Sequence, residues 1–233
     1  MRSPTRSAAR SPAWTWRRGW GLGLVVWAIA CGGGRDPSDL PPAGRIGSGG
    51  GSAGGTAPRP NELSPADEQA RFDRDRRPDV IVAAAQLGPG SVVADVGAGT
   101  GLLTVHLARA VRPGGRVVAT DIDAAVLDLM APRLDAAGVA DVVERRVVSA
   151  DDPGLEPATF DVILLAEVDH YFSDRTTWLR TATAALRPGG RFILTNRIHH
   201  RAAALAALAA VGLSVRSEAT PVPSHFVVVA TRR

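Results

Sequence analysis

Alternating glycines follow an acidic residue in the segment Asp95-Val-Gly97-Ala-Gly99-Thr-Gly101. Glycine lacks a Cβ and adopts positive φ at little cost, so such a turn lets the backbone approach a bound molecule closely. Unpaired N–H groups at the start of a following helix can bind a polar group of that molecule. The dinucleotide-binding fingerprint would require glycine where Leu102 stands. We therefore expect a ligand-binding turn, and the spacing disfavours a nicotinamide-dependent oxidoreductase.

Further polar residues stand where apolar segments of strand length end. These residues are Asp121, the pair Asp151-Asp152, the run Glu167-Val-Asp169-His170-Tyr171, and Asn196. A carboxylate can accept hydrogen bonds from two neighbouring hydroxyl groups of a ligand. A histidine can take up a proton near neutral pH and so act as a general base.

Apolar segments of strand length alternate with helical segments through residues 61–233. This alternation predicts an α/β fold, built on a doubly wound and mostly parallel seven-stranded sheet with helices on both faces. The segments 213–218 and 225–231 predict a closing antiparallel pair. Ligands of such sheets bind at the carboxyl ends of the strands, so the glycine turn and the polar residues above should share one edge.

Capping and breaking residues predict where the helices begin and end. We expect helices that start at Ser64-Pro65 and span residues 101–111 and 124–137, and another from Asp174 through Leu186. Arg187-Pro-Gly-Gly190 predicts a turn before the strand 191–196.

The glycine turn with Asp95 resembles motif I of class I S-adenosylmethionine-dependent methyltransferases. Val118-Ala-Thr-Asp121, Phe160-Asp-Val-Ile-Leu and Leu186-Arg-Pro-Gly-Gly190 follow at that family's spacing, and the likeness covers about residues 70–233. It implies a Rossmann-like methyltransferase fold with an antiparallel last strand, and S-adenosylmethionine as cofactor. It also implies methyl transfer to a small-molecule or exposed O, N or C acceptor.

The resemblance also implies roles for single residues. In the family the glycine turn holds the methionine part of the cofactor and the acid after the second strand holds the ribose, which is Asp121 here. Asp121 could instead cap the next helix, a role open to Asp123 as well. Asp151 or Asp152 would contact the adenine or only shape a turn. The expected cofactor-binding residues are Asp95, Gly97, Ala98, Gly99, Gly101, Asp121, Ile122, Asp151, Asp152 and Glu167.

The residues after the fourth strand carry the expected chemistry. His170 is the candidate general base, with Asp169 or Tyr171 orienting it or the acceptor, although His170 could also simply line the pocket. His199-His200 could face the same cleft, but a metal site would need a third ligand, and we expect no metal. The chain has no Lys, which excludes Schiff-base chemistry, and its single cysteine excludes a CxxC site.

That cysteine, Cys31, closes a basic and then apolar leader that resembles a bacterial lipoprotein signal peptide. We expect a signal segment at 1–31, a flexible Gly/Pro/Ser linker at 32–60 and the methyltransferase-like domain at 61–233. The protein would then be a membrane-anchored lipoprotein, extracytoplasmic if the signal is used and cytoplasmic otherwise.

The basic charge is concentrated in the leader. Residues 1–60 hold eight Arg and two acidic residues, whereas residues 61–233 hold nineteen Arg and twenty-one acidic residues. A slightly acidic domain argues against nucleic acid as a partner. The expected partner is a small-molecule acceptor, and the alternative function is a membrane-tethered, non-catalytic binding module.

Overall fold

The computed structural model describes residues 64–233, so the expected signal segment, Cys31 and the linker lie outside the described residues. The strands are β1 (Val92–Val96), β2 (Arg116–Asp121), β3 (Val143–Val147), β4 (Phe160–Ala166), β5 (Leu186–Arg197), β6 (Leu213–Val222) and β7 (His225–Arg232). The helices are α1 (Pro65–Arg76), α2 (Pro78–Ala85), α3 (Thr104–Ala110), α4 (Ala124–Ala136), α5 (Arg175–Ala184) and α6 (Arg201–Ala210). Among residues 64–233, no helix has the length and apolar character needed to cross a membrane.

The seven strands form one sheet in the order β3-β2-β1-β4-β5-β7-β6. The first five strands pair in parallel, whereas β7 runs antiparallel to both β5 and β6. The order reverses between β1 and β4, so the switch point lies beside the exit of β1. Both the predicted fold class and the predicted antiparallel closing pair are confirmed.

Alternate residues of the central strands pack against opposite layers of helices, because successive side chains of a strand point to opposite faces. In β4, Ile163 and Leu165 join the core that contains α5 and α6, whereas Val162 and Leu164 join the core that contains α2, α3 and α4. All four side chains are fully buried. Burial on both faces holds the strand ends in fixed positions relative to one another.

Side chains cap three of the helices at the positions that the sequence indicates. Ser64 accepts a hydrogen bond from the backbone N–H of Asp67, Asp123 from that of Ala125, and Asp174 from that of Thr177. Asp123 thus takes the capping role that the sequence left open for either residue, and the role of Asp121 in holding the ribose stays a prediction.

Two predicted boundaries are wrong. Helix α3 begins at Thr104 and not at Gly101, because residues 101–103 still belong to the turn that closes over β1. The predicted turn at 187–190 is part of β5, where it forms an irregularity: Leu186 pairs with Phe160, and Arg191 pairs with Val162. Gly189, at φ +79°, absorbs the extra residues of this bulge.

Candidate functional site

The glycine turn leaves β1 at the switch point of the sheet. Ala98 donates its backbone N–H to the carbonyl of Thr120 at 2.9 Å, and Gly101 donates to the carbonyl of Ala98 at 3.0 Å. Gly97, Gly99 and Gly101 all adopt positive φ, between +55° and +83°. Each of these glycines thus has a backbone conformation that other residues adopt only with strain, as the sequence predicted.

The three glycines differ in what a side chain would meet. A Cβ on Gly97 would lie 2.6 Å from Cγ2 of Val168, and a Cβ on Gly101 would lie 2.5 Å from Cγ of Met130. A Cβ on Gly99 would meet no atom within 4 Å. Gly97 and Gly101 thus let neighbouring elements pack closely, while Gly99 faces the open space in which a ligand would lie.

Asp95 supports the turn from behind. Its side chain is 1% exposed, and it accepts a hydrogen bond from Oγ1 of Thr104 at 2.6 Å. Burial raises the pKa of this carboxyl to about 6, although the bond from Thr104 opposes the shift. The hydrogen bond with Thr104 joins Asp95 to α3. The predicted contact of Asp95 with a cofactor stays a prediction.

Asp121 joins the exit of β2 to the glycine turn. Its Oδ2 accepts from the backbone N–H of Gly99 at 2.9 Å, and its Oδ1 accepts from that of Asp123 at 3.1 Å. Each carboxylate oxygen keeps a further lone pair for another donor. The neighbouring Ile122 is 63% exposed at this edge, where an apolar side chain can cover a flat ligand.

Asp151 and Asp152 lie in the exposed loop after β3. Asp151 accepts a hydrogen bond from Ser173 at 3.1 Å, and Asp152 accepts one from the backbone N–H of Gly154 at 2.9 Å. The bond to Gly154 is the local turn role that the sequence left open for this pair. Asp151 instead joins the rim of a cavity of about 150 Å³ that Phe172 and Trp178 line.

Glu167 lies among three basic side chains at the exit of β4. Its carboxylate pairs with the guanidinium of Arg76, lies 3.7 Å from Nε of Arg197 and lies 3.3 Å from Nε2 of His225. Arg76 is buried and belongs to α1. Glu167 thus fastens α1 to the strand edge, and its predicted contact with a cofactor stays a prediction.

A second buried arginine, Arg133 of α4, fastens the start of α1 to the glycine turn. Its Nε donates to the carbonyl of Thr100 and its Nη1 to the carbonyl of Pro65, both at 3.0 Å. Its Nη2 also pairs with Glu68. Helix α1 is therefore held at both ends beside the turn.

Asp169, His170 and Asn196 form a polar group where β4 and β5 end, in which Asp169 and Asn196 are buried and His170 is half-buried. Nδ2 of Asn196 lies 2.6 Å from Oδ1 of Asp169 and 2.9 Å from Nδ1 of His170. Asp169 is fully buried and pairs with Arg175 at 3.2 Å. Asp169 is therefore linked to His170 through the amide of Asn196, and its predicted role in orienting His170 stays a prediction.

Four aromatic rings continue outward from this group. The rings of His170 and His200 are stacked, with centroids 4.4 Å apart and planes at 14°. Tyr171 lies beside His170 at 3.8 Å, and His199 lies beside His200 at 4.0 Å. Burial and the neighbouring imidazole lower the pKa of both His170 and His200. The histidines after β4 and β5 thus lie side by side, and the prediction that they face one cleft stays a prediction. Residues 64–233 contain no cluster of three or more His, Cys, Asp or Glu side chains arranged to hold a metal ion.

Sequence reasoning missed three residues that shape this edge: Arg76, Thr104 and Arg133. Thr104 and Arg133 lie inside helical segments, and Arg76 lies near the end of one. An arginine in a helix is usually exposed, so the sequence does not indicate that Arg76 and Arg133 are buried. Asn196 was recognised only as a strand-end residue. The sequence pattern that indicates its role is a single amide side chain at the end of an apolar strand. Burying an amide costs free energy unless it is hydrogen bonded, so such a residue is expected to have a partner.

Comparisons with known proteins show what this domain is similar to. Residues 94–192 match the family model described as a methyltransferase domain. The chain is 32% identical over 150 residues to the ubiquinone biosynthesis O-methyltransferase of Xanthomonas campestris, which is 64% of this chain and 59% of that protein. It is 29% identical over 133 residues to the demethylmenaquinone methyltransferase of Symbiobacterium thermophilum, covering 57% of this chain and 51% of that protein. The chain thus spans between half and three fifths of these relatives.

A solved structure shares the fold. The SAM-dependent methyltransferase from Aquifex aeolicus superposes with a TM-score of 0.62 at 19% identity, covering 72% of this chain and 98% of that one. At this level of identity the likeness concerns the fold alone.

Proposed function

We propose that the chain binds S-adenosylmethionine and transfers its methyl group to a small-molecule acceptor, because residues 94–192 match the model of a methyltransferase domain and the fold resembles that of a solved SAM-dependent methyltransferase. One observation carries the proposal. The glycine turn and Asp121 are bonded to each other at the switch point of the sheet, and Gly99 faces open space there. This is the place where doubly wound sheets bind nucleotide-like ligands.

The cofactor is held by complementary groups of the turn and the β2 exit. The turn from Gly97 to Gly101 receives its methionine end, because no Cβ at Gly99 keeps the ligand at a distance. Asp121 accepts from the ribose hydroxyls through its remaining lone pairs. Ile122 covers the adenine, and Asp151 accepts from the adenine amino group, since its neighbour Asp152 is bonded to the backbone of Gly154.

The cofactor supplies an electrophilic methyl group on a sulfonium centre. The residues of the chain orient the acceptor toward that methyl group, since displacement requires the two reacting atoms in line. His170 and Tyr171 lie after β4 and provide the surface that orients the acceptor. Glu167, Arg76 and Arg133 fasten α1 beside the turn, which limits access of water to that side of the site.

We propose an oxygen or carbon nucleophile as the acceptor. The names of the two relatives support this choice, since one is an O-methyltransferase of ubiquinone biosynthesis and the other acts on demethylmenaquinone. Anchoring through Cys31 would bring the domain to the membrane surface, where a lipid-soluble acceptor of that kind is concentrated. The alternative of a non-catalytic binding module is not favoured, because these matched relatives are named as enzymes.

The test is release of S-adenosylhomocysteine by the purified full chain. The chain is incubated with S-adenosylmethionine and a panel of phenols, carboxylates, amines and reduced demethylmenaquinone. We expect turnover with at least one oxygen or carbon acceptor. Cofactor binding without turnover on any member of the panel would contradict the proposal and restore the binding module.

A further inference from the structure

The amide of Asn196 has only one orientation that suits its neighbours. Its Oδ1 accepts a hydrogen bond from the backbone N–H of Arg197 at 2.7 Å. Its Nδ2 faces the carboxylate of Asp169 at 2.6 Å. Exchanging the two amide atoms would set oxygen against carboxylate and N–H against N–H, and Asn196 is fully buried, so neither group could turn to water.

This orientation determines which nitrogen of His170 carries the proton. The amide nitrogen of Asn196 has two N–H groups and no acceptor, and its second N–H meets Nδ1 of His170 at 2.9 Å. Nδ1 must therefore be unprotonated, and the proton of the neutral ring is on Nε2. An imidazolium carries a proton on both ring nitrogens, so its Nδ1–H would point at the N–H of Asn196. This repulsive contact disfavours the charged ring.

We propose that Asn196 is a positioning residue that fixes His170 as an Nε2–H donor, and that the acceptor is a small molecule whose reacting atom is already anionic, such as a phenolate oxygen or an enolate carbon. The inference rests on the proposed methyl transfer and names its acceptor class. His170 then binds the anion by a charge-assisted hydrogen bond and removes no proton. The general-base role expected from the sequence would need an unprotonated Nε2.

The electron balance of the step requires no base. For a phenolate, a lone pair of the oxygen forms the new O–C bond to the methyl group. The C–S bond breaks, and its electron pair goes to sulfur, so that a sulfonium and an anion become a neutral thioether and an ether. The proton of the phenol has left to water before the step.

Two substitutions of His170 separate a donor from a base. His170→Gln retains a side-chain N–H donor but cannot act as a base, whereas His170→Ala retains neither. If His170 donates, we expect His170→Ala to lose roughly tenfold to a hundredfold in kcat/KM and His170→Gln to stay within roughly tenfold of wild type. Thr195→Val changes the buried residue next to Asn196 in β5 and is the control for packing. Equal losses of about 10²–10⁴ in both variants would overturn the donor role.

The pH dependence supplies a readout that a purely structural role would not change. With a series of phenols of different acidity, we expect the midpoint of the kcat/KM profile to follow the ionisation of each phenol. The titratable or charged groups around His170 are the same for every acceptor: Asp169, Tyr171, Arg175, His199 and His200. One midpoint shared by all acceptors and abolished in His170→Gln would overturn the proposal.

The tautomer itself can be measured without any acceptor. In the full chain labelled with ¹⁵N-histidine, two-bond ¹H–¹⁵N correlations distinguish a protonated from an unprotonated ring nitrogen, and the His170→Gln spectrum identifies the signals. We expect Nδ1 of His170 to be unprotonated, and we expect Asn196→Asp, whose carboxylate accepts, to move the proton to Nδ1. A proton on Nδ1 in the wild type would overturn the inference even where methyl transfer is observed. Absence of turnover would instead count against the proposed function and leave this measurement decisive for the tautomer.

Discussion

The carboxylate of Asp121 accepts a hydrogen bond from the backbone N–H of Gly99 at 2.9 Å, although 22 residues separate them in the chain. The bond joins the exit of β2 to the exit of β1. It also orients the carboxylate beside the one glycine of the turn that faces open space. The two parts of the expected cofactor site are thus built as one unit before any ligand arrives.

We expect Asp121→Ala to weaken S-adenosylmethionine binding by about 1.5–3 kcal/mol, because hydrogen bonds to a charged group are lost. Calorimetry on the full chain measures the change. The matched control is Asp123→Ala, which removes the cap of α4 and should lower the stability by about 1 kcal/mol with little change in affinity. Equal affinity losses in both variants would mean that Asp121 acts through the fold alone.

The turn glycines should separate stability from binding. Gly97→Ala adds a clash with Val168 to the cost of positive φ, so it should lower the free energy of unfolding by about 2–5 kcal/mol. Gly99→Ala carries only the cost of positive φ, about 1–2 kcal/mol, but it should weaken cofactor binding because its Cβ enters the ligand space. Urea unfolding and calorimetry measure the two effects. Unchanged affinity in Gly99→Ala would show that the ligand does not approach the turn there.

Asp95 should make stability depend on pH. Its pKa in the folded state is about 6, above the ordinary value of 3.8, so its stabilising contribution is complete below pH 3.8 and is lost as the pH rises through 6. Asp95→Asn cannot ionise, but its amide oxygen can still accept from Thr104. Relative to wild type, the variant should therefore gain about 2–3 kcal/mol between pH 4 and pH 7.

Denaturant unfolding of both proteins across this range measures the difference. Burial lowers the pKa of His225 to about 4, which acts in the opposite direction but is common to both proteins. Asp128→Asn, at a side chain that is 83% exposed, controls for the change of charge. A stability difference between wild type and Asp95→Asn that does not vary with pH would contradict burial of an ionisable carboxyl at this position.

The sequence predicted the strands of the sheet, the glycine turn and three helix caps, because those features depend on local patterns. Runs such as Phe160–Ala166 identify buried strands, and glycine and aspartate identify turns and caps. The boundary of α3 was missed because residues 101–103 continue the turn although their apolar spacing is helical. The bulge at 187–190 was missed because Pro-Gly-Gly is typical of a turn.

Contacts between distant residues could not be predicted from spacing. Arg76 and Glu167 are 91 positions apart, and nothing local indicates that one neutralises the other in a buried pair. The same holds for the contact of Arg133 with Thr100. The tautomer of His170 depends on the side chain of Asn196 and on the backbone of Arg197, which only the folded strand edge brings together.

Anchoring through Cys31 makes a separate prediction. Cys31→Ser should move the protein from the membrane fraction to the soluble fraction or leave its leader uncut, because a serine cannot carry the thioether lipid. Stable attachment requires more than one acyl chain, so the mass of the mature N-terminus should show several. Fractionation followed by intact-mass analysis checks both points. Wild type and variant that fractionate alike, with the same intact leader, would contradict the lipoprotein interpretation.

Calorimetric titration of the purified full chain with S-adenosylmethionine tests the central claim most directly, since every further step requires that the cofactor bind. We expect one molecule bound per chain with micromolar affinity, on the order of −8 kcal/mol. The absence of binding at millimolar cofactor, in a chain shown to be folded, would contradict the account.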